Sequence, residues 1–213
     1  MSPKTLFVTA LLYVLSLELA AQSDDYIPNE KPLDFRRTFA VSYAVATPLG
    51  GLSQDFAPWS YSGVMGRYCS YAHHDLTVGL GMSWISFYGH DDRATQLFEG
   101  GAVTAEAMRF YNNFAATING HYSLVYERDY RIFAGLDVGL YYNTTELRLG
   151  HLVKKSTQWI PGFSPELGVM QSISHSDRIV LQTILRYTFV PVQTEWFDYA
   201  QYISLDCGIM LRL

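Results

Sequence analysis

Hydrophobic and polar residues alternate with a period of two along most of the chain after residue 36. In the segment LTVGLGMSW, residues 76–84, the large hydrophobic side chains fall on one face, and Gly, Ser and Thr fall on the other. The closing segment YISLDCGIMLRL has the same pattern, with Asp206 and Arg212 on its small, polar face. Successive side chains of a β-strand point to opposite faces, so alternation of this length predicts strands with one apolar and one polar face.

The pattern predicts eight strands, at about 37–48, 59–72, 75–88, 109–127, 130–145, 157–174, 177–190 and 198–213. Three connections are tight, and the other four, around 49–58, 89–108, 146–156 and 191–197, are longer. This rhythm is typical of an antiparallel up-and-down barrel with short turns at one rim and loops at the other. VTAEAMRF, in the second long connection, suggests a short helix. The alternation slips near Gly63 to Gly66, as a β-bulge would make it do.

Whether the apolar face of the strands points into the barrel or outward decides whether such a barrel lies in water or in a membrane. A soluble ligand-binding barrel needs an apolar interior, whereas the polar face here has small residues and five charges. The apolar face, opposite this polar face, continues for about 9–11 residues per strand, the length that a tilted strand needs to cross a bilayer. The charged residues of the polar face are Arg67, Asp137, Glu166, Arg186 and Asp206.

Aromatic residues gather near the predicted strand ends, which favours two girdles at the membrane interfaces. The predicted outer girdle contains Trp84, Tyr88, Phe110, Tyr142, Trp159, Phe163, Phe189, Phe197 and Tyr199, and the inner one Phe39, Tyr122, Tyr126 and Tyr130. The sequence therefore predicts an all-β, eight-stranded antiparallel up-and-down transmembrane β-barrel.

The N-terminal residues have the pattern of an export signal. Lys4 is followed by the apolar segment LFVTALLYVLSL and then by the small residues of LAAQ. We therefore predict a secretory signal peptide at 1–21, a periplasmic N-terminal arm at 22–36 and the barrel at 37–213. The whole chain has 213 residues, 16% of them charged, and a formal net charge of −5, so nucleic acid is not an expected partner.

In architecture, the predicted barrel resembles the small bacterial outer-membrane proteins of the OmpA/OmpX type. A sharper resemblance lies at the C-terminus, where such proteins often have a sorting signal of the form polar-x-Gly-x-x-hydrophobic-x-aromatic. Asp206, Gly208, Leu211 and Leu213 match its spacing, with Leu213 in place of the usual terminal Phe. The resemblance implies a bacterial outer-membrane location, recognition by the barrel assembly machinery, and surroundings of outer-membrane lipid and lipopolysaccharide.

Some eight-stranded outer-membrane barrels modify lipid A, and the lipid A deacylase family has a His-x-Ser-Asn motif completed by a Glu. His121-Tyr122-Ser123 is similar, but Leu124 replaces the Asn. Alternation also turns His121 and Ser123 into the lumen near the periplasmic rim, far from the outer leaflet that holds lipid A. We therefore predict no catalytic site and a non-enzymatic structural or protein-interaction role. A narrow porin-like channel and a lipid A-modifying enzyme are the alternatives.

The five lumen charges allow two interpretations, a gate that opens a pore or a plug of paired charges. Eight strands leave an interior just wide enough for side chains, which favours the plug. We predict neither a cofactor nor a metal site: His73, His74 and His175 lie in turns, and His90-Asp91-Asp92 is an incomplete ligand set for a cation.

The two cysteines, Cys69 and Cys207, lie on the second and eighth predicted strands, with the first strand between them. That separation is roughly two strand spacings of ~4.8 Å, beyond the ~7 Å within which Cα atoms can be bridged. We therefore predict two free thiols.

The segment TTELRLGHLVKKSTQW keeps strand-like character beyond the expected membrane edge and has a turn at Gly150. It predicts an extracellular hairpin whose edge could pair with a strand of another envelope protein. Four of its residues could contact lipopolysaccharide phosphates: Arg148, His151, Lys154 and Lys155. An ordinary soluble loop is the alternative.

Overall fold

In the computed structural model, the residues described are 37–71, 75–98, 101–127, 130–173, 179–192, 194 and 197–213. The predicted signal peptide and periplasmic arm lie outside these residues, as do His73, His74 and His175. In the part of the chain that is described, no helix is long and apolar enough to cross a membrane.

Eight strands form a closed antiparallel barrel in which each strand pairs with its neighbours in sequence and β1 pairs with β8. The predicted fold is therefore confirmed. Pairing of β1 with β8 leaves neither of these strands as a free sheet edge. The strands are β1 (Arg37–Leu49), β2 (Ser62–Tyr71), β3 (Leu76–Phe98), β4 (Gly101–Tyr126), β5 (Tyr130–Leu149), β6 (Leu152–Ser172), β7 (Ile179–Val190) and β8 (Ala200–Arg212).

The outside of the barrel is an apolar belt. Along β1, burial alternates residue by residue, with the small residues inside and the large hydrophobic residues outside. On β3 and β4, Leu80, Met82 and Ile118 are each at least 60% exposed. A continuous apolar surface of this extent is incompatible with a barrel in water and is what a barrel presents to lipid. The predicted outer-membrane location agrees with this surface.

Aromatic side chains border the belt at both ends. At the outer end, Tyr142 and Trp159 lie with ring centroids 4.9 Å apart, and the rings of Tyr88 and Phe110 are 5.3 Å apart. Phe39 and Tyr122 face outward at the end where the short turns lie. One girdle assignment is wrong: Phe197 is buried inside the outer mouth of the barrel, because the loop before β8 folds inward. The side chain of Tyr126 lies outside the described residues.

One predicted long loop is instead a continuation of strands, since β3 and β4 extend through most of 89–108. β5 and β6 extend through most of 146–156 and form the predicted hairpin. The predicted short helix in VTAEAMRF is wrong, since this segment is part of β4 and pairs with both neighbours at Ala107. Cross-strand pairing outweighs the local helix preference of its Ala, Glu and Met residues. A helix does occur in the first long connection, α1 (Leu52–Asp55).

The predicted disturbance near Gly63 lies on the side of β2 that pairs with β1. β2 pairs with β3 in unbroken register from Ser62 to Tyr71. On the β1 side, the register shifts by one residue between the pair Tyr43–Val64 and the bridge Ala46–Ser60, so that three residues, 61–63, stand opposite two. One extra residue on one strand is a β-bulge, as the slip in alternation predicts. Register shifts also occur in two other places that the structure describes. One lies between Asp91 and Ala94 on β3, and the other lies between Ser123 and Val125 on β4.

Candidate functional site

The centre of the lumen contains a buried guanidinium group that bridges three strands. Arg67 of β2 donates to both carboxylate oxygens of Glu166 on β6, at 3.0 and 2.7 Å, in a bidentate pair. Its Nη2 also lies 3.2 Å from Oδ2 of Asp137 on β5. The neighbours that share its cross-strand row on β3 and β5 are Gly81 and Gly139, which leave room for the long side chain to cross the barrel. Charge-assisted pairs of this geometry are the strong ones.

A second arginine extends the network to β7 and β8. Nη2 of Arg186 on β7 lies 3.2 Å from Asp206 of β8, and Nη1 lies 3.8 Å from Asp137. The structure therefore brings together the five charged residues predicted to form the lumen network. Each is at most 6% exposed, so their charges meet one another rather than water.

His121 joins this network, which the sequence did not predict. Its Nε2 lies 2.5 Å from Oε1 of Glu166. The two residues are on β4 and β6, and Gly135 of β5 stands between them in the same cross-strand row. Because Gly135 has no side chain, the imidazole and the carboxylate meet over it; an added Cβ would collide with both. The inward parity of His121 was the signal available in the sequence.

A layer of polar aromatic and amide side chains lies on the outer side of the charges. Tyr111 donates from its hydroxyl to Oδ1 of Asn143 at 2.5 Å, and Asn113 donates to the same oxygen at 2.7 Å. The hydroxyl of Tyr202 donates to Oδ1 of Asn113 at 3.2 Å. All four side chains are buried, so this layer closes the lumen with satisfied hydrogen bonds.

An apolar plug lies beyond this layer at the outer mouth. Leu52 and Phe56 come from α1 and its C-terminal end, and Val192 and Phe197 come from the connection between β7 and β8. They pack against inward-facing side chains of the barrel wall, including Phe87 and Tyr111. Sequence alternation could not reveal the plug, because its members lie in loops where the period of two does not hold.

The periplasmic half of the lumen is filled as well. Met65, Phe133 and Ile184 pack together, and a further cluster contains Ala40, Val180 and Met210. A cavity that remains beneath Arg67, lined also by Cys69, His121 and Arg131, measures about 10 Å³. That is about the space of one water molecule.

The His121–Ser123 pair does not form a nucleophile–base arrangement in this structure. Both side chains point into the lumen, as alternation predicts. The Ser123 hydroxyl, however, donates to the Asp75 carbonyl oxygen at 3.2 Å, and the imidazole faces Glu166. The serine and the histidine therefore serve different neighbours.

His121, Asp137 and Glu166 also have the composition of a metal site, with candidate ligand atoms within 4.8 Å of one another. The guanidinium of Arg67 already contacts both carboxylates and supplies the positive charge that a cation would bring. The cluster therefore forms an ion-pair network around an arginine.

On the outside, β3 to β6 extend beyond the point at which β7 and β2 stop. Pairing of β6 with β7 begins at Phe163, and that of β3 with β2 ends at Ser86. The residues of β6 from Leu152 to Pro161 therefore form the outer edge of a four-stranded sheet. The predicted hairpin turns at Gly150, which has a φ of 55°.

The four predicted lipopolysaccharide contacts do not form one uniform basic patch. Arg148 pairs with Glu146, and its guanidinium lies 5.1 Å from the Phe110 ring centroid. Lys155 stands opposite Glu146 across the β5–β6 pair. His151, Lys154 and Lys155 are exposed. The basic character of the hairpin is therefore partly neutralised by one acid.

The four residues of the predicted sorting signal divide between the two faces of β8. Asp206 and Gly208 face the lumen, where Asp206 is fully buried. Leu211 and Leu213 face outward and are 44% and 70% exposed. Recognition of this segment by the assembly machinery remains a prediction.

The prediction of two free thiols is confirmed. Cys69 faces the lumen and is buried, whereas Cys207 faces outward and is exposed. The two side chains thus lie on opposite faces of the barrel wall.

Comparison with solved structures places this architecture among outer-membrane barrels. Neisserial surface protein A aligns with 86% of this chain and 100% of its own, at a TM-score of 0.54 and 14% sequence identity. Ail of Yersinia pestis aligns with 84% of this chain and all of its own, at a TM-score of 0.48 and 10% identity. The N-terminal β-barrel domain of Pseudomonas aeruginosa OprF gives 0.44 and 9%, with 84% and 100% of the two chains covered.

At 14% identity, the likeness to neisserial surface protein A concerns the fold and does not extend to activity. No protein-family model and no curated protein sequence matches the chain. In fold, the chain is an outer-membrane β-barrel of the OmpA/OmpX architecture.

Proposed function

We propose that this protein is a closed, non-enzymatic outer-membrane barrel that presents a β-sheet on the cell surface for interaction with another envelope protein. The lumen is a structural support in this proposal. The sheet formed by the outer parts of β3 to β6 is the interaction surface.

The observation that carries the proposal is the exposed edge of β6. Among the described residues, the first pairing of β6 with β7 is at Phe163, and residues 152–161 ahead of it span about 33 Å of extended strand. Pro161 and Pro165 on β6 have no backbone N–H, which weakens pairing with β7 where the two strands separate. An edge that a strand leaves uncovered can accept a strand from a partner.

The lysines of this edge have a protective effect and a recognition effect. Charged side chains on an edge strand oppose indiscriminate pairing with other sheets. Lys155 therefore favours a partner strand that brings acidic groups, and it would repel a basic one. Lipopolysaccharide phosphates are the other anionic groups that these side chains could meet.

Site-specific photo-crosslinking tests the interaction role. A photoreactive amino acid would replace Val153, which is 60% exposed on the β6 edge, and in a matched variant Leu80, which is 62% exposed within the lipid-facing belt. In outer membranes, we expect a protein adduct of one defined mass from position 153 and lipid adducts alone from position 80. Lipid adducts alone from both positions would contradict the interaction role.

The layered filling of the lumen supports a closed barrel over the alternative of a narrow channel. Charges, amides and the apolar plug follow one another along the lumen, so ions would have to displace packed side chains. We expect no steady single-channel conductance from the refolded protein in a planar bilayer. Reproducible unitary currents would favour the channel.

The non-enzymatic role rests on the separate engagement of Ser123 and His121. Neither residue reaches the outer leaflet, where lipid A lies. The mass spectrum of lipid A from cells that produce wild-type protein or Ser123→Ala should be the same. A lipid A species that depends on the serine hydroxyl would favour the enzyme.

A further inference from the structure

An open groove lies on the lipid-facing side of β1 to β4 and has a volume of about 580 Å³, within the usual range of small-molecule sites. Its low points are Gly66 and Ala116, and the outward-facing side chain of Met82 stands between them in the same cross-strand row. Its walls are large outward-facing side chains, each at least 40% exposed: Phe39, Tyr68, Leu80 and Ile118.

A cation stands at the end of this groove that faces the short-turn rim. Arg37 is exposed and shares the outward face of β1 with Phe39, two residues away, or about 7 Å along the strand. The short-turn rim of an outer-membrane barrel is the periplasmic one. Phe39 belongs to the inner aromatic girdle, so Arg37 lies at the level of the inner-leaflet headgroups.

We propose that this groove binds one glycerophospholipid of the periplasmic leaflet. Its phosphate pairs with Arg37, and one acyl chain passes Phe39 and Tyr68 and lies over Gly66. A bilayer lipid touches a convex barrel wall on one side, whereas a chain in the groove also contacts the walls beside it. The chain therefore gains more dispersion contact than a bulk lipid does. This ligand is additional to the surface interaction proposed above and independent of it.

The position of the cation selects phospholipid over lipopolysaccharide. Lipopolysaccharide has its phosphates at the opposite interface, more than the ~25 Å height of the apolar band away from Arg37. A basic residue near the membrane surface adds about 1 kcal/mol of attraction to an anionic lipid. The expected ligand is thus an anionic phospholipid with its headgroup toward the periplasm.

Native mass spectrometry can test the site with the full barrel, delipidated in detergent and titrated with palmitoyl-oleoyl phosphatidylglycerol. Gly66→Leu fills the groove, and a Cβ at Gly66 meets no atom within 4 Å, so the variant should fold. Arg37→Gln removes the charge, and Arg37→Lys restores it. Ala134→Leu is the matched control, because Ala134 is a small residue on the outward face of β5, outside the groove.

We expect wild-type protein to retain one phosphatidylglycerol at low lipid concentration. Gly66→Leu should weaken binding about tenfold, or about 1.4 kcal/mol, and Arg37→Gln about fivefold. Arg37→Lys and Ala134→Leu should bind as wild type does. The proposal is overturned if wild type retains no phospholipid, if binding is unchanged by Gly66→Leu and Arg37→Gln, or if lipopolysaccharide competes for the same bound state. A polypeptide found in the groove by crosslinking from Leu80 would overturn it too.

Discussion

Replacing Arg67 with methionine should lower the free energy of unfolding of the barrel by about 3–5 kcal/mol, the usual cost of removing one partner from a buried ion pair. Arg67 is 3% exposed and holds Glu166 at 2.7 Å and Asp137 at 3.2 Å. Methionine retains most of the aliphatic volume of arginine, so the loss of stability reports the removal of the guanidinium group. Two carboxylates would then remain in the lumen with fewer positive charges to balance them.

A double-mutant cycle with Glu166→Gln separates pairing from general disturbance. Each single variant leaves a charged partner behind, whereas the double variant removes both members of the bidentate pair. If Arg67 and Glu166 act as a unit, the double variant should lose about 1–3 kcal/mol less than the sum of the single losses. His121 loses its carboxylate partner in both Glu166 variants, and that contribution cancels in the cycle.

The measurement is a guanidinium titration of protein refolded into phosphatidylcholine vesicles, followed by tryptophan fluorescence and by the electrophoretic shift between folded and unfolded barrels. Arg148→Met is the matched control. Arg148 pairs with Glu146 on the exposed hairpin, with 53% of its side chain exposed, so its removal should cost less than about 1 kcal/mol. The reasoning fails if Arg67→Met costs no more than this control, or if the Arg67 and Glu166 losses are additive.

Three further predictions concern other parts of the barrel. Gly139→Ala and Gly208→Ala should each lower the free energy of unfolding by about 1–3 kcal/mol in the same titration, because the added Cβ collides with a carbonyl oxygen of the neighbouring strand. If the Gly208 variant refolds normally in vitro but fails to assemble in cells, that glycine serves the sorting signal alone. A maleimide should label neither cysteine while the barrel is folded in bilayers, because Cys69 is buried in the lumen and Cys207 faces lipid, where the reactive thiolate does not form; both should be labelled after unfolding without reductant, as read by intact mass. Phe197→Ala should cost about 3 kcal/mol by emptying part of the outer plug, and a loss below 1 kcal/mol would indicate that the plug is loosely packed.

The membrane-spanning part of the fold was predictable because lipid and lumen impose opposite demands on alternate residues. A large apolar residue at every second position satisfies lipid, and small or charged residues in between suit a narrow interior. Leu80 and Met82 on β3, which alternate with Gly79 and Gly81, show how directly this appears in sequence. Strand number and closure follow once each segment can be counted.

Beyond the membrane edge, this constraint weakens, which is why the sequence predicts a loop where the outer parts of β3 and β4 lie. Both faces of the protruding sheet can meet water, so a strict alternation of side chains is no longer required. VTAEAMRF contains good helix formers and gave the wrong prediction. The segment is extended because β3 and β5 offer hydrogen-bonding partners on its two sides. The sequence of the segment itself does not reveal these partners.

The contacts inside the lumen depend on register, which parity alone does not define. Alternation placed Glu166 and His121 on the inward face but could not show that they stand in one row, separated by Gly135. A slip of two residues between β4 and β5 would preserve every inward side chain and still move His121 about 7 Å along its strand, out of reach of Glu166. Turn lengths and bulges set the register, and one register shift lies just beyond His121, between Ser123 and Val125. The charges of the lumen were therefore predictable as a set, whereas the choice of partner within the set comes from the turns that join the strands.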